Sequence, residues 1–105
     1  MARFPFTDLH SFKDYVGFVK ICATNGSFLP REGVGPDEQW TLNLAFEGLR
    51  LGLKMAAEEK GPKPAFVTCE KLVGEAYAHY RQGEMREGFI KLEEVQKLLK
   101  RIPSQ

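Results

Sequence analysis

A chain of 105 residues with 43% hydrophobic and 28% charged side chains has the make-up of one ordinary globular domain, and eight Phe, three Tyr and one Trp exclude a chain too poor in apolar surface to fold. Fifteen Lys and Arg against fourteen Asp and Glu leave a net charge of +1, which excludes both a global pull towards nucleic acid and an acidic mimic of it. No apolar run approaches the roughly 18 residues of a membrane span, and Asp8 interrupts any leader-like apolar stretch, so a cytoplasmic location is expected.

Residues 7–24 place Leu9, Phe12, Val16 and Val19 at helical steps of three and four, with Tyr15, Phe18 and Cys22 widening the face. Thr7 or Asp8 suits the N-cap, and Asn25-Gly26 suits a left-handed stop. Residues 27–35 read as a loop, in which Phe28 and Leu29 sit among Pro30, Gly33 and Gly35. A second helix is expected from just after Pro36 to about Lys60, with Asp37 and Glu38 complementing its dipole and Trp40 near its first turn. Its stripe Leu42, Ala45, Phe46, Leu49, Leu53 and Ala56 is joined by Leu44, Leu51 and Met55, which predicts burial on two sides and a central position. Gly48 and Gly52, four apart, predict close approach of another backbone, while Glu47, Arg50 and Lys54 mark the helix as one that lies in water.

Gly61-Pro62-Lys63-Pro64 breaks the chain before a third helix, from Ala65 or Phe66 to Gln82, with apolar positions Phe66, Cys69, Leu72, Val73, Ala76 and Tyr80. A fourth, from Glu84 to about Arg101, carries Met85, Phe89, Leu92, Val95, Leu99 and Ile102. Its acids come early and its bases late, as the dipole favours. Gly83 closes a short antiparallel turn between the two. The expected architecture is all-α: residues 1–105 as a single four-helix domain ending in an antiparallel helical hairpin.

Within residues 72–95, the positions Leu72, Gly74, Ala76, Tyr77, Tyr80, Gln82-Gly83-Glu84, Gly88, Phe89, Leu92 and Val95 follow a spacing of small, aromatic and apolar residues that resembles one tetratricopeptide-type hairpin. Gly88 stands where that family usually has alanine, and Pro103 matches its closing proline only loosely. The resemblance covers about a quarter of the chain, without a second copy, where an array needs about three. It implies a helical fold of the kind used to hold protein partners.

Catalytic signatures are missing: there is no GxSxG elbow, Walker loop, HExxH, dinucleotide fingerprint or zinc-type Cys/His cluster. Neither a cofactor nor a metal is therefore expected. Cys22 and Cys69 lie in no CxxC pattern and read as reduced, buried thiols acting as small hydrophobes. His79, with Glu75 one turn earlier, is the one arrangement with the look of a general base held by a carboxylate. A surface histidine with an incidental neighbour explains it more simply. His10 is expected to face solvent. Glu58-Glu59 and Glu93-Glu94 diverge by about 100° on a helix and converge on nothing. Lys97, Lys100 and Arg101 form a basic end, which dipole complementarity explains better than phosphate binding.

These observations predict a non-enzymatic domain that binds one protein partner, most concretely an immunity or antitoxin-type protein that covers a toxin's active site. The alternatives are a secretion chaperone or helical adaptor, a small enzyme using His79 with a carboxylate, and a nucleic-acid regulator acting through the basic end. Two surfaces are candidates for docking. One is the acidic window Glu32, Asp37 and Glu38 beside Trp40; the other is the hairpin face around Tyr77, Arg81 and Glu84.

Overall fold

The computed structural model describes residue 4, residues 6–26 and residues 41–103, and among them the chain forms four helices and no strand. They are α1 (Leu9–Thr24), α2 (Leu42–Lys60), α3 (Pro64–Arg81) and α4 (Met85–Lys100). The expected all-α class and the terminal hairpin are both present.

Local chemistry sets the ends. Asp8 caps α1: its carboxylate accepts from the Ser11 N–H at 2.9 Å, and the Ser11 hydroxyl in return accepts from the Asp8 N–H at 3.2 Å. The Ser11 backbone bond, with the Ser11 hydroxyl, holds the Asp8 carboxyl below its ordinary pKa. Gly26, at φ 82°, follows α1 in the left-handed conformation that Asn25-Gly26 predicts. Pro64 occupies the first turn of α3, where its missing N–H leaves no helical bond unmade. Gly83, at φ 80°, reverses the chain between α3 and α4.

One expected boundary needs correction. α2 starts at Leu42 rather than just after Pro36, because Thr41 is extended and its hydroxyl accepts from the Leu44 N–H at 3.1 Å. That bond satisfies an amide that would otherwise lack a partner, which outweighs the dipole preference of acidic residues further upstream. Asp37, Glu38 and Trp40, like Glu32, Phe28 and Leu29, lie outside the described residues.

The helices form a ring in which α1 packs on α2 and α4, and α3 packs on α2 and α4. Sequence neighbours run antiparallel. Along α1 and α2, the Leu9 N–H donates to Glu59 at 3.0 Å, the Phe12 ring lies against Gly52, and the Tyr15 hydroxyl donates to the Ala45 carbonyl at 2.8 Å. Along α1 and α4, Lys13 donates to the Ile102 carbonyl at 2.7 Å and Lys20 lies 4.9 Å from the Phe89 ring centroid. Lys91 of α4 pairs with Glu75 of α3 at 3.2 Å, so Lys91 braces the two helices.

The core draws on all four helices. α3 buries the six apolar residues expected of it: Phe66, Cys69, Leu72, Val73, Ala76 and Tyr80. Phe4 and Phe6 fold back on it, with Phe6 5.2 Å from Phe12 and 5.0 Å from Tyr15 between ring centroids. They therefore close the core. On α1, Phe18 keeps 38% of its surface exposed and Cys22 is half-buried, so the widened face is narrower than expected. The Tyr15 hydroxyl, buried against α2, has its pKa raised chiefly by desolvation and then by the charge of Glu47.

α2 is not central. Leu51 is 45% exposed, and Leu44 and Met55 are only half-buried. The second buried row consists instead of Gly48 and Gly52, and what approaches them is aromatic side chains, Tyr15 and Phe12 of α1 and Phe4 before it, not a backbone.

Both thiols are free; Cys69 is fully buried as expected, whereas Cys22, on the edge of the α1 face, is only half-buried. Burial pushes the Cys69 thiol up to about 11, so at pH 8 roughly one in a thousand is the reactive thiolate. In native protein a disulfide reagent should therefore titrate Cys22 alone, with Cys69 reacting only at the rate of unfolding. Two equally fast thiols would contradict the buried position of Cys69.

Candidate functional site

The α2–α3 face gathers the most chemistry. Asn43, Phe46 and Arg50 recur at steps of three and four along α2 and so share one side of it. Tyr77 and Arg81 stand four apart at the end of α3. The antiparallel pairing brings the two rows together. The Tyr77 ring packs 5.3 Å from Phe46 between centroids, and its hydroxyl donates to the Asn43 side-chain carbonyl. The guanidinium carbons of Arg50 and Arg81 each lie 5.6 Å from the Tyr77 centroid, within cation–π range.

Tyr77 is half-buried, while Asn43, Arg50 and Arg81 are exposed. An open groove of about 400 Å³ beside them is lined by Tyr77, Ala78, Arg81 and Gln82. Among the described residues, the ion pairs involve Lys60, His79, Lys91 and Lys97, and neither guanidinium joins one. Two arginines from different helices thus lie over one anchored aromatic ring, and no carboxylate among the described residues is paired to either.

Tyr77 and Arg81 of the expected hairpin face are brought together, and Glu84 is directed elsewhere. His79 lies two residues beyond Tyr77, about 200° around α3, and its Nδ1 is 2.9 Å from Glu84 Oε1. The Glu84 N–H also donates to the His79 carbonyl at 2.8 Å, so this pair braces the turn. Glu75, expected beside His79, is engaged by Lys91 instead. His10 is exposed, as expected. Glu32, Asp37, Glu38 and Trp40 of the acidic window lie outside the described residues.

Sequence reasoning passed over Asn43 and Arg50 as members of the site. The signal was their shared face with Phe46, but only the helix pairing shows that this face meets Tyr77. Gly88, which departs from the tetratricopeptide-type spacing, has a packing reason. A Cβ there would come within 2.6 Å of the Tyr80 ring, which is buried and shares a 2.8 Å hydrogen bond with the Thr24 hydroxyl. Burial raises the Tyr80 pKa, so the phenol stays neutral in that bond.

Among the described residues no group of three or more His, Cys, Asp or Glu side chains is placed to hold a metal ion, and no helix is long and apolar enough to cross a membrane. The class these coordinates define is an antiparallel all-α bundle with an aromatic–arginine cluster on one face. Neither a family model, nor a curated protein, nor a solved structure matches the chain.

Proposed function

We propose that this domain binds one protein partner, without catalysing a reaction, through the α2–α3 face centred on Tyr77. In its most concrete form it is an immunity or antitoxin-type inhibitor that covers a toxin's active site. The observation that carries the reading is the Tyr77 ring, anchored by Asn43 and Phe46 and overlaid by two guanidiniums that form no ion pair among the described residues. Tyrosine and arginine are among the side chains whose truncation is most damaging at protein interfaces. A ring already held in place also loses little conformational entropy when a partner covers it.

The test is capture of a partner from native cells by the tagged protein, repeated with Tyr77→Ala after its helical circular dichroism is confirmed. A central anchor of this kind contributes about 2 kcal/mol or more, so the variant should bind about thirtyfold more weakly. Equal retention by a folded Tyr77→Ala protein would overturn the placement. The inhibitor form further requires that the partner be an enzyme whose activity falls on complex formation. A partner fully active in the complex would remove that form.

A further inference from the structure

We infer that Arg50 and Arg81 receive carboxylates of an acidic segment of the protein partner, with Tyr77 as the apolar floor of that contact. The inference rests on the protein-binding reading and adds the chemistry of what is bound.

Three observations carry it. First, the polar groups set directly against the ring are two guanidiniums and an amide. The Tyr77 hydroxyl is spent on the Asn43 carbonyl, and that bond does not use the Asn43 amide N–H groups, which are donors. Gln82 adds another amide at the groove edge. Arg50 and Arg81 supply forked donors whose geometry matches a carboxylate.

Second, no described carboxylate is ion-paired with either arginine. Glu47, exposed and three residues before Arg50, lies within one turn of it on α2 but forms no ion pair with either arginine. Glu84 is held by His79 and Glu75 by Lys91. Glu70, on α3, lies two turns from Tyr77 and forms no ion pair with either arginine. Among the described residues neither guanidinium is therefore neutralised by direct pairing, although the whole chain carries only +1.

Third, the positive row is short. Lys54 extends it by one turn beyond Arg50, and Glu58 then closes it on the same face. A stretch of two or three cations suits a few carboxylates on a folded partner. Nucleic acid needs a longer track of positive charge to follow its phosphates, and a nearly neutral chain does not provide one.

The full chain is titrated at low salt with a tetraglutamate peptide, while side-chain Nε–Hε signals of the arginines and ring signals of Tyr77 are followed by NMR. Tetralysine and a ten-residue oligothymidine serve as comparison probes. Tetraglutamate should shift Arg50, Arg81 and Tyr77 together, and the Arg50→Gln plus Arg81→Gln protein should bind it about fivefold more weakly or worse. Both sites are exposed, so this variant should keep the wild-type fold. Shifts spread evenly over all surface cations would overturn the inference, as would tighter binding of oligothymidine than of tetraglutamate. The native partner separates the two claims. Capture that needs Tyr77 but is unchanged in the double arginine variant leaves the protein-binding reading standing and removes the carboxylate contact. Specific tetraglutamate binding, with partner capture indifferent to Tyr77, does the reverse.

Discussion

Replacing Leu49 by alanine should lower the stability of the domain by about 2–5 kcal/mol, the range for emptying a fully buried leucine site. Leu49 lies at mid-length in α2 with none of its surface exposed. Its neighbours are helical and close-packed, so collapse can fill only part of the space left behind. For a chain of this size the loss corresponds to a fall in Tm of about 10 °C or more. Leu51→Ala is the informative companion. Leu51 sits on the same helix but keeps 45% of its surface exposed, and its truncation should cost under about 1 kcal/mol. A ring of four helices requires this asymmetry between the two leucines. Equal losses in thermal or urea unfolding would instead mean that the Leu51 side of α2 is covered as well.

That asymmetry also marks where the sequence was legible and where it was not. The six buried residues of α3 follow from a regular period alone, and the hairpin turn follows from Gly83. On α2, periodicity measures how wide the apolar arc is but not which neighbour covers it. Leu44, Leu51 and Met55 widen the arc, yet the second contact surface is built by glycines, which carry no hydropathy signal. The site shows the same limit. Tyr77 and Arg81 are legible as a pair four apart on one helix, whereas Asn43 and Arg50 join them only through the register between α2 and α3. His79 extends the lesson to a turn. Its sequence neighbour at four residues, Glu75, is taken by Lys91, and the partner it finds is across the hairpin at Glu84.

The second large effect is expected at Gly52, where the ring of Phe12 occupies the space a side chain would need. A Cβ on Gly52 would lie 2.0 Å and 2.1 Å from two carbons of that ring. The ring cannot swing into solvent, because Phe12 is fully buried and is held by Phe6 at 5.2 Å between centroids. Gly52→Ala must therefore push α1 and α2 apart or drive Phe12 off its rotamer, at a cost of about 3 kcal/mol or more. Intrinsic propensity works the other way, since alanine is favoured over glycine in a helix interior by about 1 kcal/mol. This opposition gives the test its sign. Phe12→Ala alone should cost about 3–5 kcal/mol. Once the ring is gone, Gly52→Ala should become neutral or stabilising by up to about 1 kcal/mol, because the propensity gain remains and the methyl group enters space left by the ring. A double-mutant cycle in urea, run with an excluded osmolyte if the Phe12→Ala protein is too weak to fold in buffer, measures the coupling directly. Equal effects of Gly52→Ala in the two backgrounds would mean that Phe12 does not rest on Gly52, and the pairing of α1 with α2 would have to be redrawn.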